Sequence, residues 1–264
     1  MSLLLMYTCR LFCFWGSKLL AIIRVIIMAI AILVISIFAC LYSLMRPFHR
    51  NNVFHAARHL GMVAKLLGLD VEVRISKEIA EMESVVYICN HQNSHDIFTL
   101  SNAVRPGTVS IGKKSLKWIP FFGQMYWLTG NILSDRDNKN KAMTTIATAA
   151  KKIKEDKLSV WLFPEGTRSY GRGLLPFKTG AFRTAQQAGV PIVPIIASNL
   201  HDRIKLNRWD NGKMIIEFLP PVSLEGVQKE GIRTIADETR AKMLAKFEAL
   251  SEEVEHPLKK KESK

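Results

Sequence analysis

Between Arg24 and Arg46 the chain runs for 21 residues, Val25 to Met45, without a charge. At about 1.5 Å per residue a helix of that length matches the hydrocarbon thickness of a bilayer, about 30 Å. The stretch predicts a membrane-associated helix, and the rest of the fold has to be compatible with it. Ahead of it, Leu3 to Trp15 is apolar but short and interrupted by Arg10, which suits an interfacial or re-entrant helix better than a second span. A secretory signal fits poorly, because no small-x-small cleavage site follows and the run is too long for such a segment. Basic residues flank both sides, Arg10, Lys18 and Arg24 against Arg46, Arg50 and Arg58, so the positive-inside rule gives no orientation. Equal basic flanks favour a hairpin dipping into one leaflet over a single span.

The 37 Lys and Arg against 23 Asp and Glu leave a formal charge of +14. That favours an anionic partner, whether nucleic acid, anionic lipid headgroups or a phosphorylated substrate. A nucleic-acid binder would need its aromatic residues inside a basic patch and would leave the apolar N-terminal segment without a purpose. The four cysteines, Cys9, Cys13, Cys40 and Cys89, have no metal-type spacing and suggest no disulfide framework, so a reducing compartment is expected.

After Arg50, helical and strand-like patterns alternate. Phe54–Leu67, Ser94–Val104, Lys139–Glu155, Gly180–Ala188 and Thr234–Glu255 have helical spacing, while Val85–Cys89, Thr108–Ile111, Ser159–Phe163, Val190–Ala197 and Met214–Leu219 read as strands. This order predicts an α/β fold, a mainly parallel sheet flanked by helices, with chemistry at the carboxyl ends of the strands. Three regions result: a membrane-associated helical segment over 1–50, an α/β domain over 51–256, and a basic, unstructured tail over 257–264.

The apolar strand Val85–Cys89 ends abruptly in Asn90, His91, Gln92, Asn93, Ser94, His95 and Asp96. His91 and His95 stand four apart, as in a zinc-binding helix, but Gln92 cannot serve as the base of that motif and no third ligand cluster is evident. Cys89 could pair with a histidine as a nucleophile, yet it lies inside the strand pattern, where a buried thiol is inert. The remaining chemistry places Asp96 five residues beyond His91 across a strand-to-helix turn, where a carboxylate can hold one imidazole nitrogen and leave the other as a base. Helix capping by Asn90, Ser94 and Asp96 explains these residues equally well.

A second strand, Ser159–Phe163, runs into Pro164, Glu165, Gly166, Thr167, Arg168 and Ser169, a turn whose backbone donors and Arg168 suit a phosphate. An ordinary exposed turn is the alternative. The segment Gly171–Gly180 invites comparison with a P-loop, but Phe177 occupies the place of the glycine that should precede Lys178, which argues against an ATPase. The aromatic run Trp118, Phe121, Phe122, Tyr126 and Trp127 is compatible with an acyl groove, a bilayer contact or ordinary packing.

Taken together, N-H-x4-D followed some seventy residues later by F-P-E-G-T-R-S, with "GNILSDR" (Gly130 to Arg136) and "VPIVPI" (Val190 to Ile195) in the same order, resembles the 1-acyl-sn-glycerol-3-phosphate (lysophosphatidate) acyltransferases of the glycerolipid acyltransferase family. Asn93 stands where many members carry serine, and the stretch before Lys18 is longer than bacterial relatives require. The resemblance implies acyl transfer from acyl-CoA or acyl carrier protein to the 2-hydroxyl of lysophosphatidate, giving phosphatidate for phospholipid synthesis. It implies His91 and Asp96 as the catalytic pair. Arg136 and Arg168, with Lys113, Glu165, Gly166 and Thr167, would form the phosphate site. Neither metal nor cofactor is implied, and the expected location is the inner, cytoplasmic membrane with the catalytic domain facing the cytoplasm. A membrane-bound thioesterase or esterase using the same pair on water, or an acyltransferase with another glycerolipid acceptor, is the alternative.

Overall fold

A strand buried on both faces must alternate its side chains between two apolar layers, and Val85–Cys89 does so. Val86 and Ile88 join a core with Val160, Phe182, Ile192 and Met243, while Val85, Tyr87 and Cys89 join one with Trp161, Val193, Ile195 and Met214. The structure is a computed structural model that describes residues 2–134 and 139–262, with side chains described over 18–134 and 143–255. Its helices are α1 (Ser2–Met45), α2 (Asn52–Leu66), α3 (Lys77–Ala80), α4 (Asp96–Thr99), α5 (Phe122–Leu128), α6 (Lys139–Asp156), α7 (Gly180–Ala188) and α8 (Ile232–Glu262). The strands are β1 (Leu69–Arg74), β2 (Val86–Cys89), β3 (Thr108–Lys113), β4 (Ile132–Ser134), β5 (Ser159–Leu162), β6 (Ile192–Ala197) and β7 (Gly212–Phe218), with 3₁₀ turns at Leu100–Ala103 and Lys114–Trp118.

The seven strands lie in the order β1-β7-β6-β2-β5-β3-β4. All adjacent pairs are parallel except β6 with β7. The mainly parallel sheet flanked by helices is as expected. Two strands had no clear signal. β1 reads L-D-V-E-V-R with charges at alternate positions, as edge strands do, and is tied to the body through Arg74, which donates to Glu253 at 2.5 and 2.9 Å. β4 is only three residues long and forms the other edge.

The N-terminal segment folds back on itself as a pair of helices. α1 runs unbroken from Ser2 to Met45, and the reversal comes after it, so that α2 returns antiparallel along α1 with Tyr42 edge-on to His55 and Phe38 beside His59. Lys18–Met45 is long and apolar enough to cross a membrane, and contains an 18-residue window with a mean hydropathy of 3.0. Yet one stripe of it is covered: Leu20, Arg24, Ser36, Ala39 and Ser43 are buried, at spacings of three, four and multiples of them, while Ile22, Ile26, Ile30, Val34, Leu41 and Leu44 are exposed. Arg24 explains its place in an apolar helix. Its guanidinium donates to the carbonyls of Leu206 and Trp209, each at 3.1 Å, and to that of Arg208, and it faces the Trp209 ring at 5.4 Å. At the other end of the chain, α8 continues past Pro257 to Glu262, through most of the tail expected to lack structure. The Lys and Glu residues there are good helix formers.

Candidate active site

β2 and β5 are neighbours and parallel, with Ile88 opposite Leu162, so their carboxyl ends deliver the two motifs side by side although 74 residues separate them. The turns are then sewn together by backbone. His91 N donates to Glu165 Oε1 at 2.7 Å, Ser169 N donates to His91 O at 2.8 Å, and Tyr170 N donates to Gln92 O at 2.9 Å. The His91 ring stacks on Phe163 with centroids 4.1 Å apart and planes 16° from parallel. His91 Nδ1 lies 2.7 Å from Asp96 Oδ2. A carboxylate only accepts, so the hydrogen is on Nδ1 and the Nε2 lone pair remains for chemistry. The same Asp96 oxygen accepts from Gln92 N at 2.6 Å and Asn93 N at 3.2 Å, so the turn wraps around the buried carboxylate. The imidazole, locked from below by Asp96 and from the side by Phe163, is 18% exposed.

Beneath this turn, Asn90 and Gln92 act as substitutes for strand pairing. Asn90 Nδ2 donates to Ala197 O and Ala197 N donates to Asn90 Oδ1, both at 2.9 Å, while Gln92 bridges Ser198 O and Leu200 N at 2.8 and 2.7 Å. Neither caps a helix. These two amides were absent from the expected site, and the signal was available: an amide at the end of a fully apolar strand needs a buried partner. Cys89 is fully buried with its thiol pushed well up by burial, so it is no nucleophile.

Residues 70–198 match the sequence profile of the family described as Acyltransferase. The chain is 47% identical over 235 residues to the 1-acyl-sn-glycerol-3-phosphate acyltransferase of Haemophilus influenzae, covering 89% of this chain and 98% of that one. The chain belongs to the 1-acyl-sn-glycerol-3-phosphate acyltransferase family. A yeast member, from Saccharomyces cerevisiae, is 39% identical over 183 residues, or 68% of this chain and 60% of the relative. The fold is similar to the crystal structure of the 1-acyl-sn-glycerophosphate acyltransferase of Thermotoga maritima, with a TM-score of 0.70 at 22% identity over 88% of this chain and 96% of that one.

Within this acyltransferase fold the basic residues assemble unevenly around His91. Arg168 Nη1 donates to Ser94 Oγ at 3.2 Å and to Tyr170 OH at 3.1 Å, which draws its guanidinium to the rim of the His91 turn. Gly166 has φ +73°, and a Cβ there would lie 2.9 Å from Lys178 Nζ and 3.0 Å from its Cε. Lys178, read from sequence only as the end of a failed P-loop, therefore crosses the Glu165–Thr167 turn, anchored by its own N–H donating to Pro164 O at 2.8 Å. Thr167 is exposed on that turn. Lys113 ends β3 opposite Ser134, two strands from β2. Arg136 lies outside the described residues.

Glu165 takes a different place from the one expected for it. Both carboxylate oxygens are occupied by backbone, Oε1 by His91 N and Oε2 by Leu175 N at 2.9 Å, and the residue is buried. Burial pushes its carboxyl above the ordinary carboxylate value, against the downward pull of those two N–H groups. An anion held there would repel phosphate, so Glu165 supports the turn from underneath and is not offered to the ligand.

Proposed function

We propose that this chain is a 1-acyl-sn-glycerol-3-phosphate acyltransferase, moving a fatty acyl group from a thioester of coenzyme A or acyl carrier protein to the sn-2 hydroxyl of lysophosphatidate. The observation that carries this reading is His91 Nδ1 at 2.7 Å from the buried Asp96, with Nε2 left free of that pair, Arg168 in the adjoining turn and the Lys178 side chain crossing that turn. Nε2 takes the proton of the hydroxyl as its oxygen attacks the thioester carbonyl carbon. The carbon–sulfur bond then breaks, and the leaving thiolate takes the proton from the imidazolium, which Asp96 has stabilised in the meantime. No cofactor enters this sequence. Arg168, Lys178 and Arg136 hold the acceptor's phosphate and so set the distance from its hydroxyl to His91. The catalytic domain works at the cytoplasmic face of the inner membrane, where both thioester donors are found.

Purified protein with labelled acyl-CoA and a panel of acceptors tests this reading. Phosphatidate should form only with lysophosphatidate, and release of free fatty acid regardless of acceptor would mark a thioesterase instead. His91→Ala should lower kcat by about 10²–10⁴ with Tm unchanged, the usual loss for a general base; a variant retaining most of its kcat would remove His91 from that role. Arg168→Ala should raise KM for the phosphorylated acceptor by about 10–100-fold, the value of a charged hydrogen bond. An unchanged KM would take Arg168 out of the phosphate site.

A further inference from the structure

We propose that the turn from Trp118 to Phe121 is a second membrane-inserting element, separate in sequence from α1, that seats the catalytic end of the sheet on the bilayer surface. Trp118, Ile119 and Phe121 are 75%, 45% and 51% exposed. Phe121 has φ +62°, ψ −48°, a conformation that large side chains avoid. The turn holds it there by close packing at Gly123, where a Cβ would come within 2.4 Å of Leu116 O and 2.6 Å of Lys117 O.

The ligand class follows from three observations. The turn is continuous with the exposed face of α1: Cys40 Sγ lies 3.9 Å from Phe121 O, Phe122 packs against the cluster of Ala39, Ala56, Leu60 and Met125, and Ile37, Leu41 and Leu44 are exposed on that helix. The charge within its own sequence is of one sign, since Lys114 and Lys117 lie in a stretch with no Asp or Glu before Asp135, and Lys117 Nζ sits 4.4 Å over the Trp118 ring. Apolar rings beneath a basic collar suit an anionic bilayer surface, with Trp at headgroup depth. Finally, the cleft of about 630 Å³ beside β4 is lined by Lys114, Lys117, Trp127 and Ile132 but not by Trp118, Ile119 or Phe121, so these three face away from that cleft.

Position gives the element its consequence. β3 is parallel to β5, and β5 to β2, so Lys113 leaves the sheet at the end that carries His91, about 10 Å away at two strand spacings. The lipid acceptor then reaches His91 along the membrane plane. This rests on the membrane location proposed above.

The test uses full-length protein with Trp118 as its sole tryptophan (Trp15, Trp127, Trp161 and Trp209→Phe) on phosphatidylglycerol–phosphatidylethanolamine vesicles with brominated acyl chains. Trp118 emission should be quenched about twofold or more, as should that of a control carrying Ile30→Trp with Trp118→Phe. Quenching of the control alone overturns the proposal, and quenching of neither overturns it together with the membrane location. Phe121→Gly in the wild-type background keeps the backbone conformation and removes the ring. It should lower the rate on vesicle-embedded lysophosphatidate by about tenfold and leave the rate on a short-chain, soluble lysophosphatidate unchanged. Equal effects on both acceptors overturn the proposal, and quenching without any acylation would leave it standing while the catalytic reading fails.

Discussion

Glu165 works as a two-sided spacer: one carboxylate holds the His91 peptide on one oxygen and the Leu175 peptide on the other. Glutamine has a single acceptor oxygen, so Glu165→Gln must turn an NH₂ group toward one of those N–H donors and lose its bond, at a cost of about 1–3 kcal/mol. The variant should lose about tenfold in kcat with little change in KM for either substrate, because the imidazole shifts while the phosphate contacts remain. A kcat equal to wild type would show that the bridge does not position His91. The pH dependence has a definite sign. Burial raises the folded value above the ordinary one, so the folded chain binds the proton more tightly, and stability falls as pH rises from the ordinary carboxylate range through the raised value. Glu165→Gln should flatten that slope in a series of melting curves from acid to neutral pH. Little of this was legible beforehand, because a glutamate in P-E-G-T looks the same in sequence whether it faces a ligand or the underside of its own turn.

Among elements, α1 is the one whose pattern and whose packing differ most. Its hydropathy is that of a helix able to cross a membrane, but a stripe of it is buried, and Arg24 is pinned to three carbonyls some 182 to 185 residues away. The loop it grips, Leu206–Trp209, follows the Ser198 and Leu200 groups that hold Gln92 in the His91 turn. Arg24→Leu makes α1 still more apolar, so vesicle binding should persist. The carbonyls lose their donors, and Tm should fall by about 5 °C, with trypsin cutting faster after Arg208. An unaltered Tm and cleavage rate would mean that the helix is held by its apolar contacts alone. The strands β2, β5 and β6 were legible because burial on both faces demands a continuous apolar run. β1 was not, because its alternation of charges on a half-solvated edge resembles a loop, and β4 was not, because three residues are too few to show a period.

At the scale of the whole molecule, the +14 charge and the apolar surface of α1 and the Trp118–Phe121 turn are the two features on which the proposed seating on an anionic bilayer depends. Raising salt from about 0.05 M to about 0.5 M should weaken association with phosphatidylglycerol vesicles while leaving a salt-resistant fraction held by apolar contact. Association independent of salt would assign the charge to substrate capture alone. The sequence by itself determined what depends on near neighbours: the period of each element, the length of the apolar helix, and a histidine and an aspartate five residues apart across one turn. Only the tertiary structure decided which strand ends meet, and with them the Glu165 bridge, the Phe163 stack, the approach of Arg168 and Lys178, and the partners of Arg24. Dihedral preference and side-chain period act over a few residues, whereas those contacts arise from packing β2 against β5 and α1 against a loop near the far end of the chain.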